Sequence, residues 1–161
     1  TCPPRASTFM FDAATDVYTS RTLTASIAPL GRGHVLHVVQ HPPVSMKDIL
    51  VLGQLLRDFL TRAAPASAVF VLDLTRVDIL TLQQLQAFAE DLKSMREIID
   101  GKCVCSAYIV PKHVAENPLV RNFRTRFYSP VRPVLVVGPP RAAEIPAFLA
   151  THMASGPQRP A

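Results

Sequence analysis

The N-terminal quarter of the chain carries short runs of β-branched and aromatic residues, separated by polar residues and without helical periodicity. Such runs are typical of strands. We predict three strands in a meander, over residues 7–11, 18–27 and 34–40. Gly31 and Gly33 lie between the last two runs and predict a turn there, because glycine tolerates positive φ angles.

A helix is predicted soon after the third strand. Proline cannot donate to a strand ladder, so Pro42 and Pro43 end that strand. Ser45 can cap a helix with its hydroxyl, and Asp48 follows three residues later, where negative charge suits the helix dipole. The apolar residues that follow recur at helical spacing and are predicted to face inward: Met46, Ile49, Leu52, Leu56, Phe59 and Leu60. The helix is predicted to end near Ala63.

The middle of the chain combines a strand with a second helix. Residues 69–74 form an apolar run bounded by turn signals, as expected for a strand covered on both faces. Thr81 and Gln84 have the spacing of a capping box and predict a helix that runs to about Asp100 and stops at Gly101. Its predicted inward positions are apolar: Leu82, Leu85, Phe88, Ala89, Leu92 and Met95.

The last third continues the alternation with a strand over 104–110, a helix opening at Pro118, a strand over 134–137 and a final helix. The predicted order is therefore β-β-β-α-β-α-β-α-β-α. This order indicates an α/β domain with a mixed sheet, antiparallel at its start and parallel in its second half. We expect that domain to span residues 9–153, between an N-terminal extension over 1–8 and a flexible Pro-rich tail over 154–161.

Composition narrows the class of protein. The chain has 161 residues, of which 48% are hydrophobic, so we expect one folded domain with a real core. No apolar run approaches the roughly 20 residues that span a bilayer, so the chain is not predicted to be membrane-spanning. The cysteines Cys2, Cys103 and Cys105 are odd in number and lack the paired spacing of zinc sites. This favours an intracellular protein, in the cytoplasm or an organelle interior, over a secreted disulfide scaffold.

The passage from strand to helix at Asp73 resembles the centre of a STAS domain, the domain of anti-anti-sigma factors and anion-transporter tails. In that family an apolar strand ends in Asp or Asn, and Asp-Ser-Ser/Thr-Gly opens the next helix. Residues 81–84 of this chain, Thr-Leu-Gln-Gln, occupy the positions of that motif. The resemblance implies a STAS-like loop containing Asp73, Thr75, Asp78, Thr81 and Gln83.

The position of the family's phospho-acceptor serine is held by Gln83, which has no hydroxyl to modify. A phospho-regulated switch would therefore need another hydroxyl, and Thr75 and Thr81 lie nearby. The later half, with runs at 106–110, 127–133 and 142–149, resembles a bacterial STAS branch grouped with CRAL-TRIO-like lipid-binding proteins. The resemblance covers roughly residues 9–151.

A catalytic scheme can be drawn from Cys103 or Cys105 with His113, because the two cysteines share one face of a regular strand. No glycine loop for an oxyanion hole or a phosphate accompanies these residues, and buried cysteine usually packs as a small apolar side chain. Asp73 and Asp78 lack a positioned His or metal that would define acid–base chemistry. We therefore predict a non-enzymatic protein without a cofactor or metal.

Positive charge concentrates near the third helix and the turn after it. Lys and Arg number 17 against 12 Asp and Glu, for a net charge of +5. No acid lies between Glu116 and Glu144, and the predicted partner-binding residues fall in that stretch: Arg121, Arg124, Arg126 and Arg132. We expect a protein partner with an acidic surface, with an anionic lipid surface as a second candidate. Nucleic acid is unlikely as a partner, because aromatic residues for base stacking are few.

These observations predict a protein-interaction module, a structural or scaffold subunit of a larger assembly that binds through the basic helix-turn surface. One alternative is a carrier of a small ligand or lipid, which would need a pocket of roughly 300 Å³ or more beneath the helices over 46–60 and 82–95. A second alternative is a STAS switch that uses a hydroxyl other than residue 83.

Overall fold

The computed structural model describes residues 10–127 and 133–154, and for 123–127 it describes the backbone alone. The strands are β1 (Thr15–Thr19), β2 (Leu23–Leu30), β3 (Gly33–Gln40), β4 (Ala68–Asp73), β5 (Cys103–Ile109) and β6 (Val134–Val137). The helices are α1 (Met46–Arg62), α2 (Leu82–Ser94), α3 (Arg96–Lys102), α4 (Lys112–Ala115), α5 (Pro118–Phe127) and α6 (Ile145–Ala154), the last preceded by a 3-10 helix over Pro139–Glu144.

The six strands form one mixed sheet in which the spatial order is the chain order, β1 to β6. Strands β1, β2 and β3 pair antiparallel, whereas β3 to β6 pair parallel. The predicted fold class is therefore confirmed. The predicted extension over 1–8 lies outside the described residues, as do residues 155–161 of the predicted tail over 154–161, whereas Ala154 is the last residue of α6. The domain limits stay a prediction.

The predicted first and second strands were misplaced. Residues 18–27 do not form one strand, because a turn at Ser20 separates β1 from β2. The Ser20 hydroxyl oxygen accepts from the backbone N–H groups of Thr22 and Leu23, at 3.3 and 3.0 Å, which reverses the chain there. Met10 and Phe11, from the predicted first strand, precede β1, and residues 7–9 lie outside the described part.

The predicted helix over 81–100 is two helices. The chain breaks at Met95, which has φ −99° and ψ 8° and a side chain buried in the core. Burying Met95 there redirects the chain into α3, so that Gly101 lies inside α3 instead of ending the helix. The short helix α4 is also additional to the predicted order.

Two apolar clusters cover the two faces of the sheet. On one face the strands pack against α1, α2 and α5, through core residues such as Phe70 and Leu72. On the other face, Val69 and Val71 pack against α6. Side chains alternate between the faces along a strand, so β4 contributes to both clusters, and all of its residues are buried. The prediction that this strand is covered on both faces is confirmed.

The start of α1 is held to the sheet by a buried acid. Ser45 is the N-cap, as predicted, and it forms a capping box with Asp48, in which each side chain accepts from the other residue's backbone N–H. Asp48 also accepts from the Thr22 hydroxyl at 2.8 Å and from the Gln40 amide at 3.1 Å. A buried carboxylate needs such partners, because an unpaired one would be costly to desolvate. This network joins the β2–β3 ladder to the first turn of α1.

We expect Gly33→Ala to lower the free energy of unfolding by at least about 2 kcal/mol, because the added Cβ would push the backbones of β3 and β4 apart. A Cβ at Gly33 would lie 1.8 Å from the Ser67 carbonyl oxygen, where β3 meets β4. Gly101→Ala is the matched control, since no atom lies within 4 Å of its added Cβ. Because alanine is a better helix former than glycine, Gly101→Ala in α3 should raise the free energy of unfolding by about 0.5–1 kcal/mol. Urea unfolding measures both, and equal stability of the two variants would contradict this packing.

Candidate functional site

The carboxyl ends of the parallel strands meet at one edge of the sheet, where α1, α2 and α5 begin. In open α/β sheets this edge is where ligand and partner sites concentrate. The loop after β4 and the start of α2 lie here, so the structure places the predicted STAS-like loop at this edge. We call it the carboxyl edge.

Asp73 ends β4 and is 1% exposed. Its Oδ1 accepts from the backbone N–H of Thr75 at 2.9 Å and from the Thr75 hydroxyl. The carboxylate is thereby used to hold the local turn, as strand-end acids commonly do. Asp78, the second acid of the loop, is exposed. The two acids are not brought together as an acid–base pair.

Thr81 and Gln84 form the predicted capping box at the start of α2. The Thr81 hydroxyl oxygen accepts from Gln84 N at 3.2 Å, and the Gln84 Oε1 accepts from Thr81 N at 3.0 Å. The Gln84 amide also donates to the Val44 carbonyl at 2.9 Å, which joins the start of α2 to the residue before the cap of α1. Gln83, which the resemblance to STAS domains aligned with the phospho-acceptor, is exposed.

An internal cavity of about 70 Å³ lies between the sheet and the helices near the carboxyl edge, and it is partly open to solvent. Its lining is Gln40, Val44, Ile49, Leu52, Leu72, Leu74, Leu80, Gln84, Leu85, Phe88, Tyr108, Val110, Val120 and Val136. For comparison, an engineered dry cavity that binds benzene measures roughly 150 Å³. The cavity is therefore far below the volume expected of a lipid carrier.

Four large apolar side chains remain exposed at the carboxyl edge. They are Met46, Leu50, Ile79 and Leu82, with exposed fractions of 41, 63, 72 and 50%. We call these four residues the edge cluster. Two lie on the first turns of α1 and two bracket the start of α2, and neighbouring helices pack about 8–10 Å apart.

Met46 and Leu82 were wrongly predicted to face inward. Each is the first residue of its helix. Helical side chains point toward the N-terminus, so a first-turn residue can project past the end of the sheet even when it shares the apolar stripe. Helical periodicity gives a residue's angle around the helix axis but not its position relative to the end of the sheet. The edge cluster was missed for this reason.

Exposed cations accompany the edge cluster. Lys47 follows Met46 on α1, Arg76 lies in the loop after β4, and Arg121 lies on the first turn of α5, which packs beside α2. Of the predicted partner-binding residues, Arg121 is exposed. The side chains of Arg124 and Arg126, and all of Arg132, lie outside the described part, so the predicted basic helix-turn surface stays a prediction.

The structure separates the residues of the hypothetical cysteine nucleophile scheme. Cys103 begins β5 and His113 follows its other end, so a strand length of about 20 Å lies between them. The His113 Nε2 lies 2.8 Å from the Val77 carbonyl oxygen. Burial, with Cys103 as a smaller cause, raises the pKa of the Cys105 thiol to about 12. A thiol with so high a pKa is a poor nucleophile.

Across the described residues, no group of three or more His, Cys, Asp or Glu side chains is placed to hold a metal ion. The same part of the chain contains no helix that is long and apolar enough to cross a membrane.

No protein-family model and no curated protein matches the chain. Among solved structures, SiaC of Pseudomonas aeruginosa is similar at 18% identity and a TM-score of 0.48, over 78% of this chain and 98% of that chain. A structure of the diguanylate cyclase SiaD in complex with its activator SiaC, from Pseudomonas aeruginosa, is similar at 16% identity and a TM-score of 0.44. That match covers 77% of this chain and 98% of the matched chain. Likenesses at this level of identity and TM-score carry no argument about function.

We expect Gln84→Ala to lower the free energy of unfolding by about 1–3 kcal/mol, because it removes a cap and leaves the Val44 carbonyl without its donor. Gln83→Ala is the matched control on the adjacent, exposed position and should change stability by less than about 0.5 kcal/mol. Chemical denaturation measures both. If the two variants lost equal stability, the Gln84 contacts would not hold the starts of α1 and α2 together.

Thiol labelling should distinguish the two described cysteines. In a Cys2→Ser background at about pH 8, only about one part in ten thousand of Cys105 is thiolate, so Cys103 should react first. His113→Ala should leave both labelling rates unchanged, because His113 lies at the far end of β5. Slower labelling in the His113→Ala protein would contradict this and restore the cysteine scheme.

Proposed function

We propose that this chain is a non-enzymatic protein-interaction module that works as a subunit or regulatory partner within a larger assembly, and that it binds through the carboxyl edge. The observation that carries the proposal is the edge cluster. Its four apolar side chains are exposed to solvent, whereas the other apolar residues of the same elements are buried or partly buried in the core. Apolar groups concentrated at one edge favour association with another surface.

The cations beside the edge cluster indicate the chemistry of the partner. Lys47, Arg76 and Arg121 are exposed around it, against Asp78 as an exposed acid of the adjoining loop. The helix N-termini at this edge add partial positive charge. The proposed partner surface is therefore acidic and partly apolar. The basic surface expected from the sequence becomes one side of this larger site, through Arg121 on α5.

The two alternative functions have less support. A lipid carrier would have to open the core, since the cavity is about 70 Å³. If the chain were a phospho-regulated switch, Thr81 would be a better phosphorylation site than Thr75. Thr81 is exposed at a helix N-terminus, which favours negative charge, whereas a phosphate on Thr75 would meet the Asp73 carboxylate.

The proposal predicts that the double substitution Leu50→Glu and Leu82→Glu weakens capture of binding partners by at least about tenfold, because it places charge in the contact surface. The control is Thr61→Glu with Gln86→Glu, which makes the same charge change at exposed positions outside the edge cluster. Quantitative affinity purification from the source cells compares both proteins with the wild type. Recovery of the same partners by all three proteins would contradict the proposal.

A further inference from the structure

We infer that the cavity is an anchor pocket, which takes one apolar side chain from an acidic helical segment of a partner protein. The inference rests on the proposed function and adds to it the part of the partner that is recognised. It joins two features of the same edge, the cavity and the edge cluster, into one docking site.

Part of the cavity lining lies next to the edge cluster. Four lining residues are partly exposed: Val44, Leu74 and Leu80 lie at the carboxyl edge, and Val136 lies on β6. Val44 lies two residues before Met46, and Leu80 lies between Ile79 and Leu82. The Gln84–Val44 hydrogen bond of 2.9 Å holds these two segments side by side. With the mouth of the cavity between these two segments, an apolar group that contacts the edge cluster would reach it.

The lining favours an apolar occupant. Apart from Gln40, Gln84 and Tyr108, the lining is aliphatic or phenyl. The Gln40 amide donates to the Thr22 carbonyl at 2.8 Å and to Asp48, and the Gln84 amide donates to the Val44 carbonyl. Both amide groups are thus used within the fold. The space suits the end of one aliphatic side chain, because it is too small for an aromatic ring and a polar group placed there would lose its hydration.

Charge and dimensions favour a helical segment with acids on its flanks. The starts of α1 and α2 are neighbours, so the edge cluster spans about one helix diameter, roughly 10 Å. Lys47, Arg76 and Arg121 surround it on three different elements and complement acidic residues on either side of an anchor. An amphipathic helix laid on an apolar groove is a common form of such recognition.

Peptide display tests the inference with defined probes. A random library of helix-compatible peptides, each about 12 residues long or three helical turns, is selected on the wild-type chain and counter-selected on the Leu50→Glu/Leu82→Glu protein. We expect recovered peptides to carry Asp or Glu around one bulky apolar residue. Replacing that residue with Ala should weaken binding by at least about tenfold, as for a buried anchor.

Two plugging variants test whether the anchor enters the cavity. Val44→Phe and Leu80→Phe each add bulk at the mouth, at partly exposed positions where the fold has room to adapt. Either folded variant should bind the selected peptide at least about tenfold more weakly, while Gln86→Glu should bind it as the wild type does. Circular dichroism and urea unfolding establish which variants are folded.

The outcomes separate failure of the inference from failure of the proposed function. Peptides that need Leu50 and Leu82 but bind both plugged variants normally would overturn the anchor pocket and leave the interaction module standing. Basic peptides, or no peptide dependent on the edge cluster, would overturn both. Binding to phosphatidylglycerol vesicles, or self-association, that is lost in the Leu50→Glu/Leu82→Glu protein would assign the edge to a membrane or to a second copy and overturn the helical partner.

Discussion

The burial of strand β4 on both faces is the constraint on which the rest of the structure depends. All of its residues, from Ala68 to Asp73, are removed from solvent, so it requires a layer of structure on each side. Its neighbours β3 and β5 run parallel to it, and parallel neighbours need crossover connections. Right-handed crossovers place α1, α2 and α5 on one face. The opposite face is then left for α6, which follows the last strand.

The same constraint creates the candidate site. Crossover helices must each begin at the carboxyl ends of the strands, so their first turns gather at one edge. The sheet ends there, and residues such as Met46 and Leu82 extend beyond the surface that would bury them. The buried network around Asp48 and the Gln84–Val44 bond hold these helix starts in place. A rigid scaffold thereby presents an apolar surface, which is what an interaction site requires.

Local chemistry made much of this fold predictable from the sequence. The N-caps at Ser45 and Thr81 depend on residues only three positions apart, and both appear where the sequence predicts them. The turn at Ser20 was missed because the threonines on either side of it, Thr19 and Thr22, also suit a strand. The break at Met95 depends on burial of a side chain by distant elements, which no local pattern records.

The candidate site was less predictable than the fold. Asp73 and the loop after it could be placed at the carboxyl edge from the order of elements. Leu50 falls outside the predicted inward stripe of α1, but periodicity does not show that it lies at the same edge as Ile79, because that depends on how α1 and the loop after β4 are placed in space. The cavity depends on how side chains from several elements fit together, and hydrophobic periodicity does not predict such packing gaps.

The agreement between spatial order and chain order has a consequence for biosynthesis. As the chain leaves the ribosome, each strand finds the neighbour with which it pairs already synthesised, so the sheet can extend in the direction of translation. Helix α6 is made after every strand, yet it covers Val69, Val71 and Ala107. The nascent chain therefore passes through a stage in which the strands are paired but one apolar face of the sheet is uncovered. At that stage the uncovered face can associate with other chains, which would lead to misassembly.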